Sequence, residues 1–169
     1  MTFDPPDKKY DLSSWQKKKA CLYSQQIEDA AAKNKIDKHI YLALILVESG
    51  FNKNVVSSAG ACGLTQVLPK YTGGIANKKK YTCRQLKNPR TSIAVGAKIL
   101  RWWIDYHKNN SALTKKQKKK MNPDSLTRYY TARGLCGYNA GFRCKGSRPI
   151  KGGMRYANKV LKLSEYFKK

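Results

Sequence analysis

Residues 40–69 read IYLALILVESGFNKNVVSSAGACGLTQVLP, and the first eight of them, Ile40 to Val47, are an uncharged apolar run followed directly by an acid, Glu48. Asp37 stands just before the run as a helix N-cap, and Gly50 stands just after it as a stop signal. His39, Tyr41, Leu44 and Ile45 fall at helical spacing between them. The stretch therefore predicts a core helix with Glu48 in its last turn. A carboxylate is misplaced there, because a helix C-terminus carries partial negative charge. An apolar approach and an unfavourable dipole both favour the protonated form, which is the state a general acid needs at neutral pH.

Working outward, a helix capped by Ser13 or Ser14 should run through residues 15–35, with Leu22, Ile27, Ala30 and Ala31 near one face. After Gly50 the segment GFNKNVVSSAGACG reads as a loop, and LTQVLPKY as a short helical turn ended near Pro69. Residues 70–90 read as irregular, with a turn signal at Asn88-Pro89. A second core helix opens at Thr91 or Ser92 and buries Ile93, Ala97, Leu100 and Ile104. The polar, lysine-rich residues 109–122 read as a surface loop or insertion stopped by Pro123. Asp124 or Ser125 caps a helix through LTRYYTARGLCGYNAG, broken by its glycines. A last helix covers residues 154–169. With no alternating strand pattern the chain is mainly α, in one globular unit.

Composition bounds the function. The 169 residues suffice for one domain, and 41% hydrophobic with 11% aromatic content places the chain among folded proteins. Lys and Arg number 35 against 10 Asp and Glu, a formal net charge of +25. Such a charge implies a polyanionic partner: nucleic acid, an anionic membrane face or an acidic cell-wall polymer. The opening residues do not read as a secretory signal, and no apolar run approaches the ~20 residues of a spanning helix.

The five cysteines, Cys21, Cys62, Cys83, Cys136 and Cys144, form no CxxC pair, and with two histidines no zinc site is expected. No cofactor is expected either. Cys136 and Cys144 bracket a glycine-rich turn and bridge in an oxidising compartment; the alternative is five reduced, mostly buried thiols.

The segment ESGFNKNVVSSAGACGLTQVLP resembles the first motif of the soluble lytic transglycosylase family, the goose-lysozyme-like enzymes. In order after it, LKNPRTSIAVGAKILRWW, CGYNAG and RYANKVL resemble three further family segments. Together they cover roughly residues 36–163. The resemblance implies a lysozyme-like domain of about five to seven helices with a substrate groove. It implies cleavage of the bond between N-acetylmuramic acid and N-acetylglucosamine in peptidoglycan, by transglycosylation or by lysozyme-like hydrolysis.

Within that resemblance Glu48 is the single general acid and base. Ser57 matches a position that contacts the substrate acetamido group or supports the acid, and Gln66 one that lines the sugar groove. Tyr138 matches a tyrosine placed close to the acid, with Asn139 its neighbour in the motif. Gly60 and Gly63 would let backbone approach sugar closely. Most glycosidases use two carboxylates; the shortage of acids here, with Asp105, Asp124 and Glu165 in charged or polar segments, fits a one-carboxylate mechanism. Departures from the family are Thr65 and Leu68, where methionines are common, and Gly152 and Gly153, where a Glu-Thr pair often precedes Tyr156. The small size and charge suggest a phage-type lysis or virion-associated enzyme, monomeric, acting in the periplasm or wall.

Each position has a plainer reading. Glu48 could be a solvated helix-end glutamate, Ser57 a turn residue, Gln66 a surface helix residue, and Tyr138-Asn139 a helix-ending turn before Gly141. The second function class is a nucleic-acid-binding module, motivated by the lysine runs at 17–19, 78–80 and 118–120. A third is a cationic wall-binding protein without catalysis.

Overall fold

A computed structural model describes residues 12–75 and 79–168 of the chain. The first eleven residues, on which the reading of the chain's start rests, and Lys78 of the second lysine run lie outside the described residues. Eight α-helices follow in order: α1 (Ser14–Lys33), α2 (Lys38–Ser49), α3 (Pro69–Ile75), α4 (Cys83–Leu86), α5 (Pro89–Asn109), α6 (Lys115–Lys120), α7 (Pro123–Ala140) and α8 (Lys151–Tyr166). A 3-10 turn, Gly141–Cys144, links α7 to the loop before α8. The described chain is 70% helical with no strand, as the sequence pattern predicts, but with more helices than the five to seven expected. No described helix is long and apolar enough to cross a membrane.

The extra helices and altered boundaries have local causes. Pro69 opens α3 rather than closing a turn before it, because a first-turn position has no use for the missing N–H. Residues 70–90 hold both α3 and the one-turn α4, the latter capped reciprocally by Thr82 and Gln85. Helix α5 starts at Pro89, ahead of the expected caps: Asn88 Oδ1 accepts from the Thr91 N–H at 3.1 Å. Likewise Asn122, not Asp124 or Ser125, caps α7 by accepting from the Ser125 N–H at 2.7 Å, with Pro123 following it. Within 109–122, Thr114 and Gln117 form a capping box that starts the exposed α6. Helix α8 begins at Lys151, so Gly152 and Gly153 lie in its first turn.

The described residues form two compact units: those up to residue 98 together with 162–168, and residues 99–161. In the first, Ser13 caps α1 with Gln16, and Asp37 caps α2 by accepting from the His39 and Ile40 N–H groups at 2.8 and 3.1 Å. Helix α1 buries Ala20, Tyr23, Ile27 and Ala31; Leu22, assigned to that face, is instead 62% exposed. Tyr41, Leu44 and Ile45 of α2 are wholly buried, each aliphatic contributing about 1.5–3 kcal/mol. The Tyr41 hydroxyl donates to the Ile93 carbonyl of α5, so this buried phenol keeps a partner. Ile93 and Ala97 are buried as their spacing predicts.

In the second unit Leu100 and Ile104 continue the buried stripe of α5. Helix α7 runs unbroken through Gly134 and Gly137 despite their low helix propensity. A Cβ on Gly134 would lie 2.4 Å from Ile104 Cγ1, and one on Gly137 2.4 Å from the Trp103 ring. The glycines let α7 and α5 approach closely, and the packing gained outweighs about 1 kcal/mol lost per glycine.

Candidate active site

Glu48 lies in the last turn of α2, half-buried, as its sequence context predicts. Gly50 ends the helix in the left-handed region (φ 57°), with its N–H on the Leu46 carbonyl at 2.9 Å. Phe51 follows at φ 67°, fully buried. A bulky residue at positive φ is strained by an amount of order 1–3 kcal/mol, and burial of the ring offsets it. Ser49, next to the acid, donates to the Leu64 carbonyl at 2.8 Å, which fastens the end of α2 to the loop that follows.

That loop is a small hydrogen-bonded structure. Cys62 bridges to both Val56 and Val67, so three short segments lie side by side. Ser57 closes the turn between the first two: its hydroxyl oxygen accepts from the Ala61 N–H at 3.0 Å, and the Gly60 N–H reaches its carbonyl at 2.9 Å. Gln66 is not on a helix. It sits at φ 49°, and its Nε2 donates to the carbonyls of Val55 (3.1 Å) and Gly63 (2.9 Å). Both amide protons are thereby committed to the loop, which leaves Oε1 as the side chain's acceptor.

Gly63, read as a point of close approach to sugar, is instead a point of close approach to backbone. It has φ 78°, and a Cβ there would lie 2.0 Å from the Leu86 carbonyl oxygen. Gly60 at φ 82° meets nothing within 4 Å and serves the turn. Thr65, wholly buried, donates to the Ser92 carbonyl at 2.9 Å, and its own N–H reaches Ser92 Oγ at 3.2 Å. Cys62 is bonded to Cys83. Glu48, Ser57 and Gln66 thus belong to one unit, joined by the Ser49 bond and braced by a disulfide.

Tyr138 and Asn139 belong to the second unit, in the last turn of α7, the tyrosine half-buried and the asparagine exposed. Gly141 follows at φ 62° and ends the helix, its N–H on the Gly137 carbonyl. The next turn is held in two ways. Cys136 is bonded to Cys144, and the buried Arg133 donates through Nη2 to the carbonyls of Cys144 and Gly146 (2.5 Å for the latter). Gly153 makes room for the bridge: a Cβ there would lie 2.7 Å from Cys136 Sγ. Burial lowers the pKa of Arg133, against a smaller opposing effect of Tyr129. Of the five cysteines, only Cys21 is free, and it is exposed, so the reading of five reduced thiols does not hold.

Beside these residues on α5 lies a set of rings that the motif reading passed over. Trp103 and His107 are buried, and His107 is pushed down to about 4, chiefly by burial and secondarily by the Arg133 charge. Arg133 and the Cys62–Cys83 pairing also escaped the sequence. An arginine inside a helix reads as solvated, and cysteines 21 residues apart have no local signature. Among the described residues no group of three or more His, Cys, Asp or Glu could hold a metal ion.

Comparison with known proteins follows the same lines. Residues 25–151 match the transglycosylase SLT domain. Endo-type membrane-bound lytic murein transglycosylase A of Salmonella typhimurium is 34% identical over 88 residues, covering 49% of this chain and 43% of that protein. The homologous protein of Salmonella enteritidis matches to the same extent. The chain spans less than half the length of these curated relatives. Among solved structures, an inactive mutant of lytic transglycosylase Slt from Pseudomonas aeruginosa shares the fold with a TM-score of 0.62, at 20% identity over 84% of this chain and 23% of that one. The 70 kDa soluble lytic transglycosylase of Escherichia coli gives 0.62 at 22% identity, over 86% of this chain and 24% of that one. With a domain match that covers most of its length and takes in α2, the loop after it and α7, the chain belongs to the transglycosylase SLT domain family.

Proposed function

We propose that the protein is a peptidoglycan-cleaving lytic transglycosylase that breaks the β-1,4 bond between N-acetylmuramic acid and N-acetylglucosamine with Glu48 as its single acid and base. The observation that carries this reading is the family match across residues 25–151, within which Glu48 stands half-buried at the C-terminus of α2. The helix end it stands on carries partial negative charge. Glu48 gives its proton to the glycosidic oxygen as the bond from the muramic anomeric carbon breaks. The acetamido carbonyl oxygen of the same sugar supports that carbon. Its C6 hydroxyl then attacks, returning a proton to Glu48, and a 1,6-anhydro end forms without water.

Ser57, Gln66, Tyr138 and Asn139 are proposed as substrate-binding residues. Support for the first two comes from their place in the braced loop after Glu48, where Gln66 keeps an acceptor and Ser57 a hydroxyl proton. Tyr138 and Asn139 are carried by the family motif. We assign the net charge of +25 to retention on anionic wall or outer-membrane polymers. Two disulfides fit an oxidising compartment such as the periplasm. Delivery by a phage, at lysis or from a virion, is the setting we propose, with the protein working as a monomeric single catalytic domain.

Glu48→Gln keeps the side chain's shape and removes its acid. The reading predicts loss of lytic activity on purified peptidoglycan with sedimentation on the same material retained. Lysis at the parent rate would remove Glu48 as the catalyst.

A further inference from the structure

The second unit carries a group of rings on the C-terminal half of α5 and the turn after α7. Trp102 and Tyr106, one helical turn apart, lie nearly parallel at 5.5 Å and 19°. Phe142 stands edge-on to both, at 6.2 Å and 85° from Trp102 and 5.4 Å and 76° from Tyr106. Trp103 packs beneath, 5.1 Å from Phe142, and is buried. The outer three rings reach the surface: Trp102 and Tyr106 are half-buried, and Phe142 is 55% exposed.

Isolated exposed apolar residues need no explanation, but a contiguous aromatic patch does. What distinguishes this one is its support. Phe142 sits in the 3-10 turn that the Cys136–Cys144 bond closes and that Arg133 fastens through two carbonyls. An outward ring is thus held on a turn braced by a disulfide and by Arg133. A ligand meeting it has little ordering cost to overcome. On the neighbouring stripe of α5, Arg101 and Asp105 are paired through Nε at 2.9 Å, and Asp105 is exposed.

We infer that Trp102, Tyr106 and Phe142 form a stacking platform for a pyranose ring of a glycan strand, with Arg101 and Asp105 supplying polar contacts at its rim. A pyranose presents C–H bonds on its faces, which suit the negative face of an aromatic ring, and hydroxyls at its edge, which need donors and acceptors beside it. The platform offers both. It is continuous in sequence with the motif residues, Phe142 coming three positions after Asn139 in the same unit. The choice of occupant rests on the proposed action on peptidoglycan; the existence of a binding platform does not.

The test uses the full chain with Glu48→Gln, so that ligand is not consumed, and the β-1,4 tetramer of N-acetylglucosamine as probe. Two of the three tryptophans lie in the ring cluster, so intrinsic fluorescence reports binding. The tetramer should shift the emission, and adding Phe142→Ala should weaken its affinity about fivefold or more while Phe142→Tyr restores it. A matched melting temperature for these variants separates loss of binding from loss of fold. Equal affinity in the Phe142→Ala protein would overturn the platform. So would tighter binding of oligothymidylate at the same rings, which would mark a nucleobase platform, or a dimer in sedimentation that Phe142→Ala abolishes. Lysis persisting in Glu48→Gln would sink the catalytic reading and leave the binding measurement standing.

Discussion

At Gly63 one hydrogen atom decides whether the loop after Glu48 can exist. Its φ of 78° and the Leu86 carbonyl 2.0 Å from any Cβ leave no room for a methyl group, and the obstacle is backbone. Gly63→Ala should therefore cost at least ~2 kcal/mol in a denaturant titration, with a parallel loss of activity through the displaced loop. A change within error would mean that the loop and α4 move apart freely. Gln66 shows the same dependence in a milder form. Its side chain substitutes for missing backbone pairing by donating to Val55 and Gly63. The sequence marked the position for a sugar contact through family resemblance, yet the bonds that fix its strained φ could not be read from it. A side chain that satisfies carbonyls three and eleven residues away leaves no periodic trace.

At the scale of elements, the two disulfides brace the segments that carry the motif residues. Replacing both Cys62 and Cys83 with serine should lower stability by about 3 kcal/mol, the loop-closure entropy of a link 21 residues apart. Under native, non-reducing conditions iodoacetamide should label Cys21 alone; labelling of any second cysteine by mass spectrometry would contradict the pairing.

Helix α5 supplies a pH-dependent term. His107 is buried and held down to about 4 against an ordinary 6.5, so below 6.5 the unfolded chain binds a proton that the folded chain refuses. Stability is then unaffected above pH 6.5, falls as the pH drops through that value, and levels near 4. The loss is on the order of 2–3 kcal/mol. His107→Phe should keep the ring packing and flatten this part of the acid profile in thermal melts at pH 4.5 and 7.5 (about these values). An unchanged difference between the two pH values would show that His107 protonates without cost.

For the molecule as a whole, what could be read from sequence were the features with a period or a punctuation mark. The buried stripe of α5, Ile93 to Ile104, and the Asp37 and Gly50 boundaries of α2 follow from local rules. Boundaries at prolines differ from the sequence reading, which takes Pro69 and Pro123 as stops and Asn88-Pro89 as a turn, because each of the three prolines begins a helix. Gly134 and Gly137 were weighed as breaks for a related reason: what they gain is contact with α5, a tertiary effect invisible along the chain. The charge was legible at once, and its proposed role has a direct check. Retention of the Glu48→Gln protein on purified peptidoglycan carrying anionic polymer should fall steeply as salt rises from ~0.1 to ~1 M, where the screening length drops from about 10 to about 3 Å. Salt-insensitive retention would assign binding to the glycan contacts alone.

The central claim is a chemical one, that Glu48 acting alone makes the muramic C6 hydroxyl the nucleophile in place of water. Mass spectrometry of the muropeptides released from purified peptidoglycan tests it most directly. The account predicts 1,6-anhydromuramic ends from the parent protein and no release from Glu48→Gln. Reducing ends, heavier by one water, would contradict it and make the protein a hydrolase.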